Sequence, residues 1–192
     1  MVRLVLVRHA ASQPQPGTSA HNWQLANAGH DQCRLLADRL RPYNIRHIIT
    51  SDEPKAVQTG TLLASYLGDL PLSQAADLRE THRKTAPFFA DETAFREAIA
   101  TAMHQPQKLL YGEETFEAAR LRFSAAVDRL TSAHPDETIA LVSHGTILSL
   151  FLAHRMNVPP YSIWSLLDMP AYAILTLPDL QVRELCFSLR HL

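Results

Sequence analysis

Residues 2–10 read VRLVLVRHA, a short apolar run that stops at Arg8-His9, the point where a buried strand would emerge into solvent. The run is rich in Val and Leu and too short for a globular helix, so it reads as a strand. A second such run, ALVSHGTI at 140–147, delivers another histidine, His144, at the end of its own strand. Two histidines carried by the carboxyl ends of two buried strands can share one pocket. Arg8 beside them makes that pocket favour a phosphoryl group, because a guanidinium matches phosphate oxygens with paired donors.

Outward from these two runs, strand-like and helix-like segments alternate. The spacing of Cys33, Leu36, Ala37 and Leu40 predicts a helix over about 29–40, closed by Pro42. A second strand at 45–50 is followed by a helix to about 66, with Ser51 or Asp52 as its cap and Pro54 in its first turn. A third strand lies near 70–72, and helices are expected at 91–104, 115–133 (capped by Thr115) and 146–156. A strand at 138–143 precedes the last of these, and 171–177 with 180–187 reads as a closing hairpin around Pro178-Asp179. The polar loop at 11–26 carries Pro14, Pro16 and Gly17, and the stretch ADLRETHRKTAPFF at 76–89, with its paired Phe88 and Phe89, has weak periodicity and reads as a lid over a site.

Strands alternating with helices predict an α/β fold, a three-layer α/β/α sandwich with a mostly parallel central sheet, in one domain over 1–192. No repeat, low-complexity run or linker divides the chain. In such sheets the ligand lies beyond the carboxyl ends of the strands, which is where Arg8, His9, Ser51 and His144 fall.

Composition sets bounds on function. Of 192 residues, 46% are hydrophobic and 19% charged, as in ordinary soluble domains rather than disordered chains. A net charge of -1 argues against nucleic acid or an anionic membrane as a partner held by bulk electrostatics. No apolar run approaches the ~20 residues that span a bilayer, and the start lacks a signal-peptide pattern. Cys33 and Cys186 are far apart and lack metal-ligand spacing, pointing to a reduced, cytoplasmic setting. Seven further histidines (21, 30, 47, 104, 134, 154 and 191) show no pairing that suggests a metal site.

A neutral imidazole is a competent nucleophile toward phosphorus, and a phosphohistidine divides one hard displacement into two easier ones. For His9 to serve, one ring nitrogen must face the substrate while the other donates to a fixed acceptor, often a backbone carbonyl. Taken alone, Arg8-His9 reads as the polar end of a strand. The ordered series VRHA, LANAGHDQC, TSDEPKAVQT, LRE, GEETFEAARLR and LVSHG, covering about 2–150, is more specific: it resembles the motifs of the histidine phosphatase superfamily, which includes phosphoglycerate mutases and many small phosphatases.

That resemblance implies a phosphoglycerate mutase-like fold, His9 as the phosphorylated nucleophile and Arg8 as a phosphate ligand, with Ala10 in place of the family's Gly. It implies that His144 hydrogen-bonds the phosphoryl oxygens and that Gly145 keeps the following helix start open to an anion. Matching Ser-Ser-Pro-x-x-Arg-Ala-x-Gln-Thr onto 50–59 puts Lys55 where a second phosphate-binding Arg is expected and Asp52 at the usual Pro. Lys keeps the charge but loses the fork, so it either grips phosphate more loosely or points to solvent. Glu80 matches the family's proton donor, a carboxylic acid whose pKa a closed pocket would raise, with a surface Glu as the rival reading. The sequence after Glu80 departs from the aromatic, Gly-rich segment the family shows there.

Glu113 is read as part of a helix start, and His82, Arg83 and Lys84 as facing water, with contact to an anionic substrate as the alternative. Gln13 and Gln15 are further donors that reach toward phosphate. The expectation is a metal-independent phosphomonoester hydrolase acting through phosphohistidine, with no cofactor, on a small phosphorylated metabolite or a phosphoprotein. Three alternatives stand beside it: a phosphoglycerate mutase, against which the short segment between Glu80 and Thr115 argues; a protein phosphohistidine phosphatase; and a phosphate-binding relative that has lost turnover. Oligomeric state and pathway are left open.

Overall fold

The computed structural model describes residues 2–15, 17–86, 89 and 91–189. Its centre is a six-stranded sheet. Strand β1 (Arg3–Arg8) pairs parallel with β4 (Ile139–Ser143), which pairs parallel with β2 (His47–Thr50), which in turn pairs parallel with β3 (Leu72–Gln74). On its other side β1 takes β5 (Ala171–Thr176) antiparallel, and β6 (Gln181–Cys186) closes the hairpin. The order is β3-β2-β4-β1-β5-β6, a mostly parallel sheet with an antiparallel edge.

Side chains alternate across a strand, so a strand apolar at every position feeds two cores. Leu4 and Leu6 of β1 join Ile139 and Leu141 of β4 on one face, packed with Phe123 and Phe151. Val5 and Val7 join Ala140 and Val142 on the other, packed with Leu36, Leu40 and Leu63. Helices α1 (Asn27–Leu40) and α2 (Pro54–Tyr66) cover the second face. The first is covered by α3 (Glu92–His104), α4 (Phe116–Ala133) and α5 (Gly145–Met156). This is the expected three-layer sandwich.

Some local expectations are corrected. The cap position of α2 is Glu53, not Ser51 or Asp52, although the Ser51 hydroxyl does accept the Glu53 amide at 3.1 Å. Thr115 caps α4 as expected, accepting the amide of Ala118 at 3.1 Å. A short helix α6 (Pro160–Trp164) was not anticipated. Pro16, Pro87, Phe88 and His191, parts of the loop, lid and histidine readings, lie outside the described residues. No helix among the described residues is long and apolar enough to cross a membrane.

Register brings the strand ends together. Arg8 lies opposite Ser143, and Thr50 opposite Val142. The chain just past each end is then held to its neighbour: the His9 amide donates to the Ser143 carbonyl at 3.0 Å, and the Ser51 amide to the Val142 carbonyl at 2.9 Å.

Candidate active site

The strand ends bring His9 and His144 into one pocket, ring centroids 5.2 Å apart and edge to face. The His9 Nδ1 lies 2.8 Å from the carbonyl oxygen of Ala10. A carbonyl only accepts, so Nδ1 carries the proton and Nε2 the lone pair. Burial holds His9 far below the usual histidine pKa, and the neighbouring His144, Lys55 and Arg8 push the same way. The ring is therefore neutral at physiological pH, with 5% of the residue exposed.

His144 presents Nε2 to the Ser51 hydroxyl at 2.9 Å and to Glu53 at 3.6 Å. Its Nδ1 is buried and has no hydrogen-bond partner among the described residues. Burial lowers its pKa to about 4 against the opposing pull of Glu53. Arg8 donates to the carbonyl of Leu167 through one terminal nitrogen, while its Nε is buried and likewise unpartnered among the described residues. Burial lowers the Arg8 pKa to about 10, so it stays charged at neutral pH.

Gly145 is needed to seat that arginine. A Cβ there would lie 2.8 Å from Arg8 Cζ and 2.9 Å from Nε. The expectation that the start of α5 is open to an outside anion is corrected: the chain fills it. Glu80 Oε2 accepts the amide of Thr146 and Oε1 that of Ile147, both at 2.9 Å, and Oε1 also accepts the Thr81 amide at 3.0 Å. Glu80 is 5% exposed, so the surface reading fails. The raised pKa fails too. Burial does work against its charge, but Arg83, His144 and the amides of Thr146 and Thr81 outweigh it and hold the carboxyl below its ordinary value.

The solvent-facing reading of Lys55 is corrected. The residue is 3% exposed, so it does not point to solvent, yet its ammonium donates to the Ala20 carbonyl at 2.8 Å and to the Glu53 carboxylate. Glu53, 2% exposed, faces His21 at 3.3 Å through Oε1, which also accepts the Glu80 amide at 3.0 Å. Burial opposes its charge, but His144, His21 and Lys55 together keep it anionic well below the carboxylate range. The pocket thus answers its own lysine with its own carboxylate. Sequence reasoning missed Glu53; a Glu two residues before a Lys at a helix start was the available signal.

A cavity of about 350 Å³ is lined by His21, Glu53, Arg79, Glu80, Arg83 and Lys84, among others. Neither His9 nor His144 lines it; the Glu53 carboxylate, which does, lies 3.6 Å from His144 Nε2. Thr81 to Thr85 of the expected lid form part of this wall. Glu113 is not helix-start chemistry: its carboxylate accepts the amides of Lys84 and Thr85, bracing that wall. Gln13 and Gln15 are exposed and away from the cavity lining. Among the described residues no group of three or more His, Cys, Asp or Glu side chains is placed to hold a metal.

A doubly covered sheet presents two facing imidazoles and an arginine at its strand ends, the arrangement that the resemblance to histidine phosphatases implies. Comparison with known families agrees: residues 4–182 match the family model of the histidine phosphatase superfamily (branch 1), and the chain belongs to that superfamily. It is 30% identical over 173 residues to a probable phosphoglycerate mutase GpmB of Yersinia enterocolitica, covering 84% of this chain and 78% of that one. Among solved structures, YhfR of Bacillus stearothermophilus superposes with TM-score 0.75 at 20% identity, covering 95% of each chain. A mycobacterial glucosyl-3-phosphoglycerate phosphatase superposes with TM-score 0.76 at 20% identity, covering 97% of this chain and 98% of that one. These structural likenesses establish the fold.

Proposed function

We propose that the protein is a phosphomonoester hydrolase working through a phosphohistidine on His9, without a metal ion. One relationship supports this: a neutral, tautomer-fixed His9 shares its pocket with two buried polar nitrogens, Arg8 Nε and His144 Nδ1, for which no hydrogen-bond partner is found among the described residues. Buried polar groups without partners are costly, and a bound tetrahedral anion supplies an acceptor to Arg8 Nε and, in its Nδ1–H tautomer, to His144.

In the first step His9 Nε2 attacks phosphorus, the phosphorus–ester oxygen bond breaks, and the leaving oxygen departs as an oxyanion that takes its proton from solvent water. In the tautomer where the Ser51 hydroxyl donates to Nε2 of His144, Nδ1 carries a proton toward a phosphoryl oxygen, and Arg8 holds another. Water then attacks phosphorus, the nitrogen–phosphorus bond breaks, and inorganic phosphate leaves with His9 restored. Glu80, anionic and bound to three amides, orients the helix that carries His144 rather than supplying the proton. Leaving groups that need no protonation are therefore the best substrates. A cavity of this size suits a small phosphorylated metabolite, with a phosphoprotein as the larger alternative.

Hydrolysis of p-nitrophenyl phosphate should persist in EDTA and vanish in His9→Ala. Phosphoglycerate interconversion without phosphate release would replace the hydrolase reading by a mutase. Phosphate binding with no turnover from pH 4 to 8 would leave a binding protein.

A further inference from the structure

The lysine matched to the family's second phosphate-binding arginine is occupied by a neighbouring carboxylate, so the pocket lacks the paired guanidinium that the match assigns to it. Arg83 is the half-buried cation on the cavity wall for which no side-chain partner is found among the described residues. By contrast Arg79, on the same wall, is held by Asp52. Arg83 shares that wall with Glu53 and Glu80, and its charge bears on Arg8, Lys55, Glu80 and His144 alike.

The backbone that carries Arg83 is fixed. The Glu113 amide donates to the His82 carbonyl at 2.8 Å, the His82 amide to Glu114 at 3.2 Å, and the Lys84 amide to Glu113 at 2.9 Å. Gly112, at φ +88°, permits the approach: a Cβ there would lie 2.2 Å from the His82 carbonyl oxygen and 2.7 Å from Arg83 Cα. Arg122 in turn holds Glu114 with both Nε and Nη2, at 2.9 Å each. A loop braced on both sides of one arginine that has no hydrogen-bonded side-chain partner among the described residues is a presentation device.

We propose that Arg83 is the second guanidinium of the phosphoryl site, reaching from the braced 82–85 loop to take the position that the family pattern assigns to Lys55. The inference rests on the phosphohydrolase reading above and names a residue that grips the non-bridging oxygens of the transferred phosphoryl group. Lys55 then serves to neutralise Glu53 within the wall.

The test is binding of inorganic phosphate by calorimetry alongside p-nitrophenyl phosphate kinetics, on the full chain. Arg83→Gln should weaken phosphate binding and raise KM by about 10- to 100-fold, the worth of a charge-assisted contact, with an unchanged melting temperature. Arg83→Lys should recover part of the loss. The paired variant Glu53→Gln/Lys55→Met, which removes both charges together, should weaken binding less than Arg83→Gln does. Arg83→Gln within twofold of wild type, with the paired variant losing tenfold or more, would overturn the proposal in favour of Lys55 while leaving the hydrolase intact. Arg83-dependent phosphate binding without His9-dependent turnover would sink the hydrolase reading and keep Arg83 as the anion ligand. A wild-type chain that binds no phosphate overturns both.

Discussion

Glu80 and Thr146 are joined at 2.9 Å, carboxylate to amide, across 66 positions of sequence. The bond, with its twin to Ile147, ties the loop after β3 to the first turn of α5 and so to His144. A carboxylate at a helix start is stabilised by the unpaired amides and by the helix dipole. The same stabilisation makes it a poor acid.

Glu80→Gln therefore separates two roles. If Glu80 orients α5, the variant loses stability and slows aryl and alkyl phosphates by the same factor. A general acid would instead show a loss confined to alkyl esters, whose leaving oxygens need protonation. Comparing p-nitrophenyl phosphate with an alkyl phosphate reads this directly.

Gly145→Ala should cost function rather than fold. The added methyl meets the Arg8 guanidinium, the movable end of a flexible side chain. We expect a fall in kcat/KM of tenfold or more, with a melting temperature within about 2 °C of wild type. A wild-type rate would show that Arg8 does not need its present seat.

The ion pair at the wall is asymmetric in its consequences. Glu53→Gln leaves the Lys55 ammonium buried with one partner fewer, which should destabilise by about 3 kcal/mol. Removing both charges in Glu53→Gln/Lys55→Met should return most of that loss. Denaturant unfolding of the three proteins checks the order.

Acid should weaken the protein well before carboxylates titrate in bulk. The folded pKa of His144 is about 4, against about 6.5 when unfolded, so between those values the unfolded chain binds the extra proton. Stability is whole above pH 6.5 and falls as pH drops toward 4, by about 3 kcal/mol from this residue, with His9 adding in the same direction. A melting temperature unchanged from pH 7 to pH 5 would contradict the neutral, buried pair. Nitrogen-15 NMR should show His9 as the Nδ1–H tautomer at pH 6.

The frame of this molecule was legible because its strands are apolar at consecutive positions. Leu4 to Val7 and Ile139 to Val142 have no polar face, and only a doubly covered sheet accommodates that. His9 and His144 followed, since each ends such a run. The short α6 escaped notice because Pro160–Trp164 is too brief to show a period. Glu53, Lys55 and Arg83 were harder for a different reason. Whether a charge faces phosphate, water or another charge depends on contacts such as Lys55 to Ala20 and Glu113 to Thr85, which link segments 35 and 28 residues apart. Neither propensity nor spacing encodes that pairing.

Arg122 gathers several of these threads from well outside the reacting centre. Its guanidinium donates to the carbonyls of Asp77, Arg79 and Glu80 and to the Glu114 carboxylate. One side chain on α4 thus fastens both the segment that carries Glu80 and, through Glu114, the loop that presents Arg83. On the proposed reading, loss of that single anchor mimics damage to the reacting groups, although Arg122 is not part of the cavity lining.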